Sequence, residues 1–259
     1  MNVSTLQLEA LVGAYMWPFL RIGACLMVAP GFATAAVPRR YRLVLAAICA
    51  FLVAPSVSIP AELSLLSATG TVVALQQLVI GLVLGLCLQL AFDALSLGGQ
   101  VIANSMGLSF AFNVDPLRGA STPAIGQLYL LIATLTFLAL DGHLAIVQLF
   151  SQSFVVRPIG AEGSIADGAW NYATLGGLLF ESAAAVALPA VTALLVVNIS
   201  FGVISRAAPA LNLFAVGFPA ALLFGLLLLL WTLPGVQQVF VRQFAELVQI
   251  ALQIISGVS

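Results

Sequence analysis

Almost every long apolar segment of this chain is interrupted by a proline, a pair of glycines or a charged residue. The first segment, residues 10–29, contains Pro18 and Arg21, and residues 175–204 contain Pro189. A charge or a break in backbone hydrogen bonding is costly where a helix faces lipid, and it is tolerated where the helix faces protein or water. The pattern therefore predicts bent helices that pack on other helices, and not a set of simple lipid-facing spans.

The composition is typical of a membrane protein. Charged residues make up 7% of the chain, whereas soluble domains carry about 25%, and the mean hydropathy is +1.17. The predicted apolar segments are residues 10–29, 43–59, 72–97, 128–150, 175–204 and 211–233. Because about 20 apolar residues suffice for a membrane-spanning helix, we expect an all-α membrane-class fold. The net charge of -1, with no lysine, gives no indication of a nucleic-acid partner.

Groups that could support catalysis or bind a metal are scarce. The three cysteines lie inside apolar segments without CxxC spacing, so we interpret them as buried inert thiols. The one histidine, His143, follows Asp141 closely and suits either a structural role or a proton switch. No nucleotide-binding, zinc-protease or serine-hydrolase motif occurs. We therefore expect no catalytic residue, no metal and no cofactor.

Small and polar residues recur at every fourth position within residues 72–97. They are Gln77, Gly81, Gly85, Gln89 and Asp93. This spacing places them on one face of a helix. Gly81 and Gly85 form a GxxxG motif, which lets two helix backbones approach closely, and glutamine can hydrogen-bond across helices. We expect this face to pack against another helix. Asp93 suits either a structural, hydrogen-bonded acid or a proton-relay carboxylate.

Residues 104–127 lie between two apolar segments and cannot form one regular helix. Asp115-Pro116 and Arg118-Gly119 interrupt helical structure, because proline lacks an N–H and glycine accepts positive φ. Phe110 and Phe112 nevertheless occur where a solvated loop would carry polar residues. Two interpretations remain open: a buried loop that fills a space, or a re-entrant or interfacial membrane loop with phenylalanine anchors.

Two arginines in apolar surroundings are candidate structural charges. Arg21 must pair with protein groups or lie close enough to a helix end to reach water. Arg206 lies in a short turn before Pro209. We expect it to donate a hydrogen bond there, since an unpaired buried guanidinium is strongly unfavourable.

The basic residues and the C-terminal region carry two further patterns. Arg39, Arg40 and Arg42 form the one basic cluster, which the positive-inside rule would place on the cytoplasmic side. Beyond Pro234-Gly235 the pattern becomes that of an amphipathic helix on a membrane surface or on partner helices. Its apolar stripe consists of Val236, Phe240, Phe244, Leu247, Ala251 and Ile254.

An ordered set of short motifs resembles the FliR family, the flagellar and type III secretion export-gate proteins. The motifs are Arg21 with Pro30; Val37-Pro38-Arg39; Met106-Gly107-Leu108-Ser109-Phe110 leading to Asp115-Pro116; Gly142-His143; Leu188-Pro189; and Arg206-Ala207-Ala208-Pro209 followed by Asn212 and Gly217-Phe218-Pro219. Each motif is weak alone, but the set covers nearly the whole chain. Relatives often have an apolar residue where this chain has Asn113, so the resemblance supports a role for Phe110 more firmly than for Phe112.

The resemblance implies a single export-gate domain over residues 1–259. Residues 1–150 would be similar to the P component of the gate and residues 173–259 to the Q component, with residues 104–127 as a plug loop. One copy of the chain would join several copies of the P-type and Q-type sister proteins. Bent helical hairpins would then pack into a closed, multi-subunit helical channel in the bacterial inner membrane, at the flagellar basal body. Exported unfolded proteins, other export components and lipid would be its further partners.

The family's plug assigns roles within residues 104–127, the central stretch. Pore-plug residues would be Met106, Phe110 and Phe112, since apolar bulk in a channel raises the barrier to ions. A displaceable plug also needs hinges. The candidate hinges are Gly107, Pro116, Gly119 and Pro123.

A second functional class is a small-solute secondary transporter or an ion channel. Asp93, Glu181 and Arg21 would then serve as coupling charges. A transporter predicts a chain that folds alone, with titratable residues that converge at the membrane midplane. An export-gate subunit predicts a chain that needs its sister proteins. An enzyme is the weakest alternative, for lack of a nucleophile–base pair or a metal site.

Overall fold

The computed structural model describes residues 5–32, 37–58, 60, 63, 67–108, 124–161, 166–207 and 213–256. In these residues the chain forms seven α-helices and a short 3-10 turn, Ala54–Ser56, with no β-strand. The helices are α1 Thr5–Val28, α2 Arg39–Val53, α3 Ala68–Ser105, α4 Ala124–Ala139, α5 Gly142–Val156, α6 Ala166–Ala207 and α7 Leu213–Ser256. The predicted all-α fold is confirmed.

Three helical stretches of the described chain are long and apolar enough to cross a membrane. They are Ala68–Ser105, Leu175–Ala207 and Gly217–Ser256. Helices α4 and α5 would pass the same test as one span, but they are bent by 70° at the break between them. The membrane-class prediction is thus confirmed by length and composition.

The break between α4 and α5 falls at Asp141, inside the predicted interruption around His143. Asp141 adopts the left-handed conformation with φ 54°, which aspartate tolerates better than bulky residues do. Its backbone N–H donates to the carbonyl of Leu138, and its carbonyl accepts from Leu144 at 2.8 Å. Asp141 therefore ends one helix and begins the next.

The prolines of α7 do not end helices, contrary to the sequence-based expectation. The sequence predicted an apolar segment over residues 211–233 and an amphipathic helix beyond Pro234, but Pro219 and Pro234 both lie inside α7. A proline removes one backbone hydrogen bond. Membrane-class helices tolerate that loss where neighbouring helices and hydroxyl side chains compensate. The amphipathic pattern therefore belongs to the C-terminal half of one long helix.

The buried stripe of this C-terminal half matches the prediction except at one position. Val236, Phe240, Leu247, Ala251 and Ile254 are buried as expected. Gln243 is buried in addition, whereas Phe244 is only half-buried. The helical period places both residues near the stripe, and the tertiary packing buries Gln243 more deeply than Phe244.

The chain divides into two compact units, each built from separate parts of the sequence. Unit 1 contains residues 1–90, 138–176 and 244–259, and unit 2 contains residues 91–137 and 177–243.

In unit 1, α3 and α1 approach each other backbone to backbone. A Cβ atom added to Gly81 would overlap the carbonyl oxygen of Arg21 and would lie 2.8 Å from Cβ of Ala24. A Cβ atom added to Gly85 would lie 2.7 Å from the carbonyl oxygen of Cys25. Both glycines of the GxxxG motif therefore face α1, which lies too close to α3 for any side chain at these positions.

Replacing Gly81 or Gly85 by alanine should destabilise the protein, because the new Cβ atom would overlap the backbone of α1. Overpacking of this kind costs about 1–3 kcal/mol. Gly177 of α6 is the matched control, since nothing lies within 4 Å of a Cβ atom built there. Gly177→Ala should be neutral or stabilise by up to ~1 kcal/mol through helix propensity. Thermal unfolding of the membrane-extracted protein measures the difference. Equal midpoints for all three variants would contradict the close approach.

Candidate functional site

The central stretch begins in unit 2, where α3 ends in a fixed corner. Gly107 has φ 81°, a left-handed conformation that glycine adopts without strain. The N–H of Leu108 donates to the carbonyl of Ala103 at 3.0 Å, and the N–H of Gly107 donates to the carbonyl of Asn104 at 3.0 Å. These two bonds are the Schellman arrangement of helix C-termini. The chain therefore leaves α3 in a defined direction at Gly107.

The helices on either side of the central stretch, α3 and α4, contact each other at two glycines, Gly99 and Gly126. A Cβ atom added to Gly99 would lie 2.9 Å from Cα of Gly126, and one added to Gly126 would lie 3.0 Å from the carbonyl oxygen of Ser96. Farther along both arms, the rings of Phe92 and Phe137 meet edge to face with centroids 5.7 Å apart. The central stretch thus connects two antiparallel helices in backbone contact.

Helix α7 packs on the same end of α3 and encloses Met106. Only 1% of Met106 is exposed. A Cβ atom added to Gly225 would overlap the methyl group of Met106 and would lie 2.7 Å from its Cγ and from its sulfur. Farther from this end of α3, the rings of Phe92 and of Phe240 in α7 meet edge to face, with their centroids 5.1 Å apart. Gly225 therefore forms a socket for Met106, and a side chain at this position would displace that methionine.

Helix α6 contributes a further wall of unit 2. A Cβ atom added to Gly98 would lie 3.1 Å from the carbonyl oxygen of Ala183 and 3.2 Å from Cγ1 of Val186. Gly98 and Gly99 are adjacent, so they admit α6 and α4 on different sides of α3. Sequence reasoning missed this pair, although two consecutive glycines in an apolar helix were a visible signal.

Only two of the predicted plug and hinge residues lie in the described part of the chain. Met106 is buried against Gly225, and Gly107 forms the corner at the end of α3. The remaining candidates, Phe110, Phe112, Pro116, Gly119 and Pro123, lie outside the described residues. Their roles stay predictions.

Arg21 is fully buried in unit 1. Its Nε donates to Oε1 of Gln77 at 2.8 Å, its Nη1 donates to the carbonyl of Ser153 at 2.8 Å, and its Nη2 donates to the carbonyl of Arg157 at 3.0 Å. The guanidinium also lies over the ring of Phe154, 4.1 Å from the centroid. Its acceptors in the described chain are all neutral, and two of them are carbonyls at the C-terminal end of α5. Arg21 therefore caps that helix end, where the helix dipole favours a cation.

Arg157 caps a second helix end in the same unit. It is buried, and its Nη1 donates to the carbonyl of Ile255 in the last turn of α7, at 3.1 Å. Sequence reasoning missed Ser153, Phe154 and Arg157 as partners of Arg21. Arg157-Pro158 marks the end of an apolar segment, which was the available signal for a capping role.

The other predicted residues of the α3 face differ in exposure. Gln77 is buried and Gln89 half-buried, whereas Asp93 is exposed; Gln89 and Asp93 both have partners. Arg206 lies in the last turn of α6 and is exposed. The described part of the chain offers its guanidinium no hydrogen-bond acceptor, and Pro209, beside which we expected one, is not described.

The described residues contain no group of three or more histidine, cysteine, aspartate or glutamate side chains that could hold a metal ion. Glu181, the acid that a transporter would need in α6, is exposed within the candidate span Leu175–Ala207.

Arg21→Met should destabilise the protein strongly, because it leaves the carbonyl of Arg157 and the amide oxygen of Gln77 without their donor, and leaves the carbonyl of Ser153 with the N–H of Arg157 alone. Each unpaired buried group costs about 1–3 kcal/mol. Arg21→Lys should restore part of the loss, since one ammonium reaches fewer acceptors than a planar guanidinium does. Arg242→Met, on the exposed side of α7, is the control. Thermal unfolding in detergent is the measurement, and equal midpoints for Arg21→Met and Arg242→Met would refute the capping role.

Gly225→Ala should displace Met106 and lower the unfolding midpoint. Met106→Ala alone should also destabilise, by about 2–5 kcal/mol, through the cavity that it leaves. Combined with Met106→Ala, however, Gly225→Ala should be harmless or favourable, because the methyl group then enters free space. A double-mutant cycle measures this coupling. Gly235→Ala, where nothing lies within 4 Å, is the control in the same helix. Additive effects would argue against the socket.

Known proteins are similar to this chain over most of its length. Residues 12–247 match the family described as bacterial export proteins, family 1. The chain is 35% identical over 248 residues to the flagellar biosynthetic protein FliR of Pectobacterium carotovorum subsp. carotovorum, which covers 96% of this chain and 95% of that protein. It is 34% identical over 257 residues to FliR of Escherichia coli strain K12, covering 99% and 98%. It is 29% identical over 209 residues to FliR of Bacillus subtilis strain 168, covering 80% of each. The predicted resemblance is confirmed, and this chain belongs to family 1 of the bacterial export proteins, the FliR family.

Proposed function

We propose that the chain is a membrane subunit of the flagellar type III export gate, in the bacterial inner membrane at the flagellar basal body. It would form part of the channel for unfolded proteins. Its similarity to flagellar biosynthetic proteins over 96–99% of its length carries the proposal. The role is transport and not catalysis, which agrees with the family.

The exposed surface of unit 2 supports a place among sister proteins of the P and Q types. Trp231 of α7 is 82% exposed, and Leu230 beside it is 71% exposed. Apolar side chains also cover the outer face of α6. They include Leu188, Leu195, Val196, Ile199 and Val203. Contiguous apolar surfaces of this extent mark contacts with protein or lipid.

The geometry at the root of the central stretch supports its proposed role as a plug. A channel for unfolded chains must be closed to ions when idle, and an apolar constriction does this by excluding water. Within the proposal, Met106, Phe110 and Phe112 supply the apolar bulk, with Met106 at the start of the stretch, packed on Gly225. Gly107, Pro116, Gly119 and Pro123 are the hinges that would allow displacement by a passing substrate.

The transporter alternative receives less support from the charges. A coupling arginine would face a carboxylate that it could release, but the described acceptors of Arg21 are carbonyls, a hydroxyl and an amide. Such neutral acceptors hold the guanidinium in place without a titratable partner.

Phe110→Ala, or deletion of residues 109–122, should make cells leak small ions while the complex still assembles. The physical reason is the loss of apolar bulk from the closed channel. Ion flux is measured in cells that produce the complete gate, and co-purification of the sister proteins monitors assembly. Phe180→Ala is the control, since Phe180 is an exposed phenylalanine of α6 outside the central stretch. Wild-type flux in an assembled gate that lacks the stretch would overturn the plug proposal.

A further inference from the structure

Helix α2 has an exposed apolar face that no described residue of unit 1 covers. Its other face, formed by Ala46, Cys49, Ala50 and Val53, is buried. The outer face is 53–68% exposed at its large side chains, which are Tyr41, Val44, Ile48, Phe51 and Leu52. With 15 residues, α2 is about 22 Å long. It is therefore too short to cross a hydrocarbon core of about 30 Å, but long enough for one leaflet.

An apolar groove lies between α1 and α2. Its volume is about 340 Å³, and its lining consists of Val12, Tyr15, Met16, Phe19, Ala47 and Ala50. The ring of Tyr15 stacks on Phe51 with centroids 5.6 Å apart. The lining carries no charge, and its one polar side-chain atom is the Tyr15 hydroxyl. Such a lining suits a hydrocarbon chain and offers little to a polar ligand.

Two exposed arginines stand in line with this groove at the beginning of α2. Arg40 and Ala47 are seven residues apart and Arg39 and Ala50 eleven, so each pair lies on one side of the helix, about 10 Å and 16 Å apart along its axis. Arg39 and Arg40 are exposed, and the described chain supplies neither with a hydrogen bond or an ion pair. Arg42, by contrast, donates to the carbonyl of Val37 at 2.9 Å.

We propose that the groove and the two arginines form a binding site for one anionic phospholipid of the surrounding bilayer. An acyl chain occupies the groove, and the phosphate lies against Arg39 and Arg40. Tyr41 takes the level of the headgroups, where aromatic residues with a polar tip concentrate. The charges of the phosphate and the guanidiniums are complementary, and anionic leaflets attract basic residues beside an apolar helix face.

The outer face of α2 agrees with this placement. From Leu43 to Leu52 the helix rises about 14 Å, which matches the roughly 15 Å of one hydrocarbon leaflet. The arginines at the start of the helix then reach the headgroups while the apolar face stays in the acyl region. A protein helix in the groove would bury the apolar lining equally well, but it would supply a counter-charge only if it carried acidic residues beside Arg39 and Arg40.

Photo-crosslinking tests the site on the full chain, assembled with its export partners in lipid nanodiscs. The probes are phosphatidylglycerol and phosphatidylcholine, each with a diazirine on the acyl chain. Peptides from residues 12–19 and 47–50 should be labelled by the phosphatidylglycerol probe preferentially. Arg39→Gln and Arg40→Gln should each reduce this labelling about fivefold, which corresponds to about 1 kcal/mol per arginine, and high salt should reduce it as well. Ala47→Phe should abolish it by filling the groove.

Arg242→Gln serves as the matched control. It removes an exposed arginine elsewhere and should not change labelling at the groove. Equal labelling by both probes, insensitive to Arg39 and Arg40, would overturn the proposal and leave an apolar contact without headgroup recognition. Absence of labelling in the assembled complex would also overturn it, since protein would then cover the groove.

Discussion

The close approach of helix backbones through glycine is the constraint on which the packing depends. Between helices in lipid there is little hydrophobic driving force, so van der Waals contact and hydrogen bonds must hold them together. In unit 1, Gly81 and Gly85 bring α3 against the backbone of α1. In unit 2, Gly98 and Gly99 do the same for α6 and α4. A single methyl group at any of these positions would meet atoms at or below the tightest ordinary contact distance.

The buried arginines show how the chain accommodates charge without acidic partners. Arg21 distributes its positive charge over neutral acceptors and over the ring of Phe154. Two of these acceptors are carbonyls at a helix C-terminus, where unpaired lone pairs and the helix dipole already favour a cation. Lysine could not reach so many acceptors from one position, because its ammonium lacks the planar fork. A chain whose basic residues are all arginine is consistent with this use.

Local patterns were predictable from the sequence, and long-range partners were not. The spacing of Gln77, Gly81 and Gly85 identified a packing face, because a helical period is local, but it could not indicate that α1 would cover it. The acceptors of Arg21 lie 56, 132 and 136 residues away, beyond any periodicity. The predicted break at Pro234 was wrong because the local penalty for proline is offset where other groups support the helix. The corner at Gly107 follows from backbone chemistry, whereas the burial of Met106 depends on Gly225 of a distant helix.

The outer face of α6 carries two kinds of polar side chain. Lipid can cover the first kind, but covering the second kind with lipid would cost free energy. The hydroxyls of Thr192 and Ser200 donate to carbonyls one turn earlier in their own helix, at 2.7 Å and 2.8 Å. They need no acceptor from outside, which is the condition that hydrocarbon imposes. Asn198 is exposed and finds no hydrogen bond in the described chain, and Glu181 is an exposed carboxylate of the same candidate span. An amide or a carboxylate in hydrocarbon is strongly unfavourable. The surroundings of α6 at Glu181 and Asn198 must therefore be protein or water, and the proposed export-gate assembly would provide them.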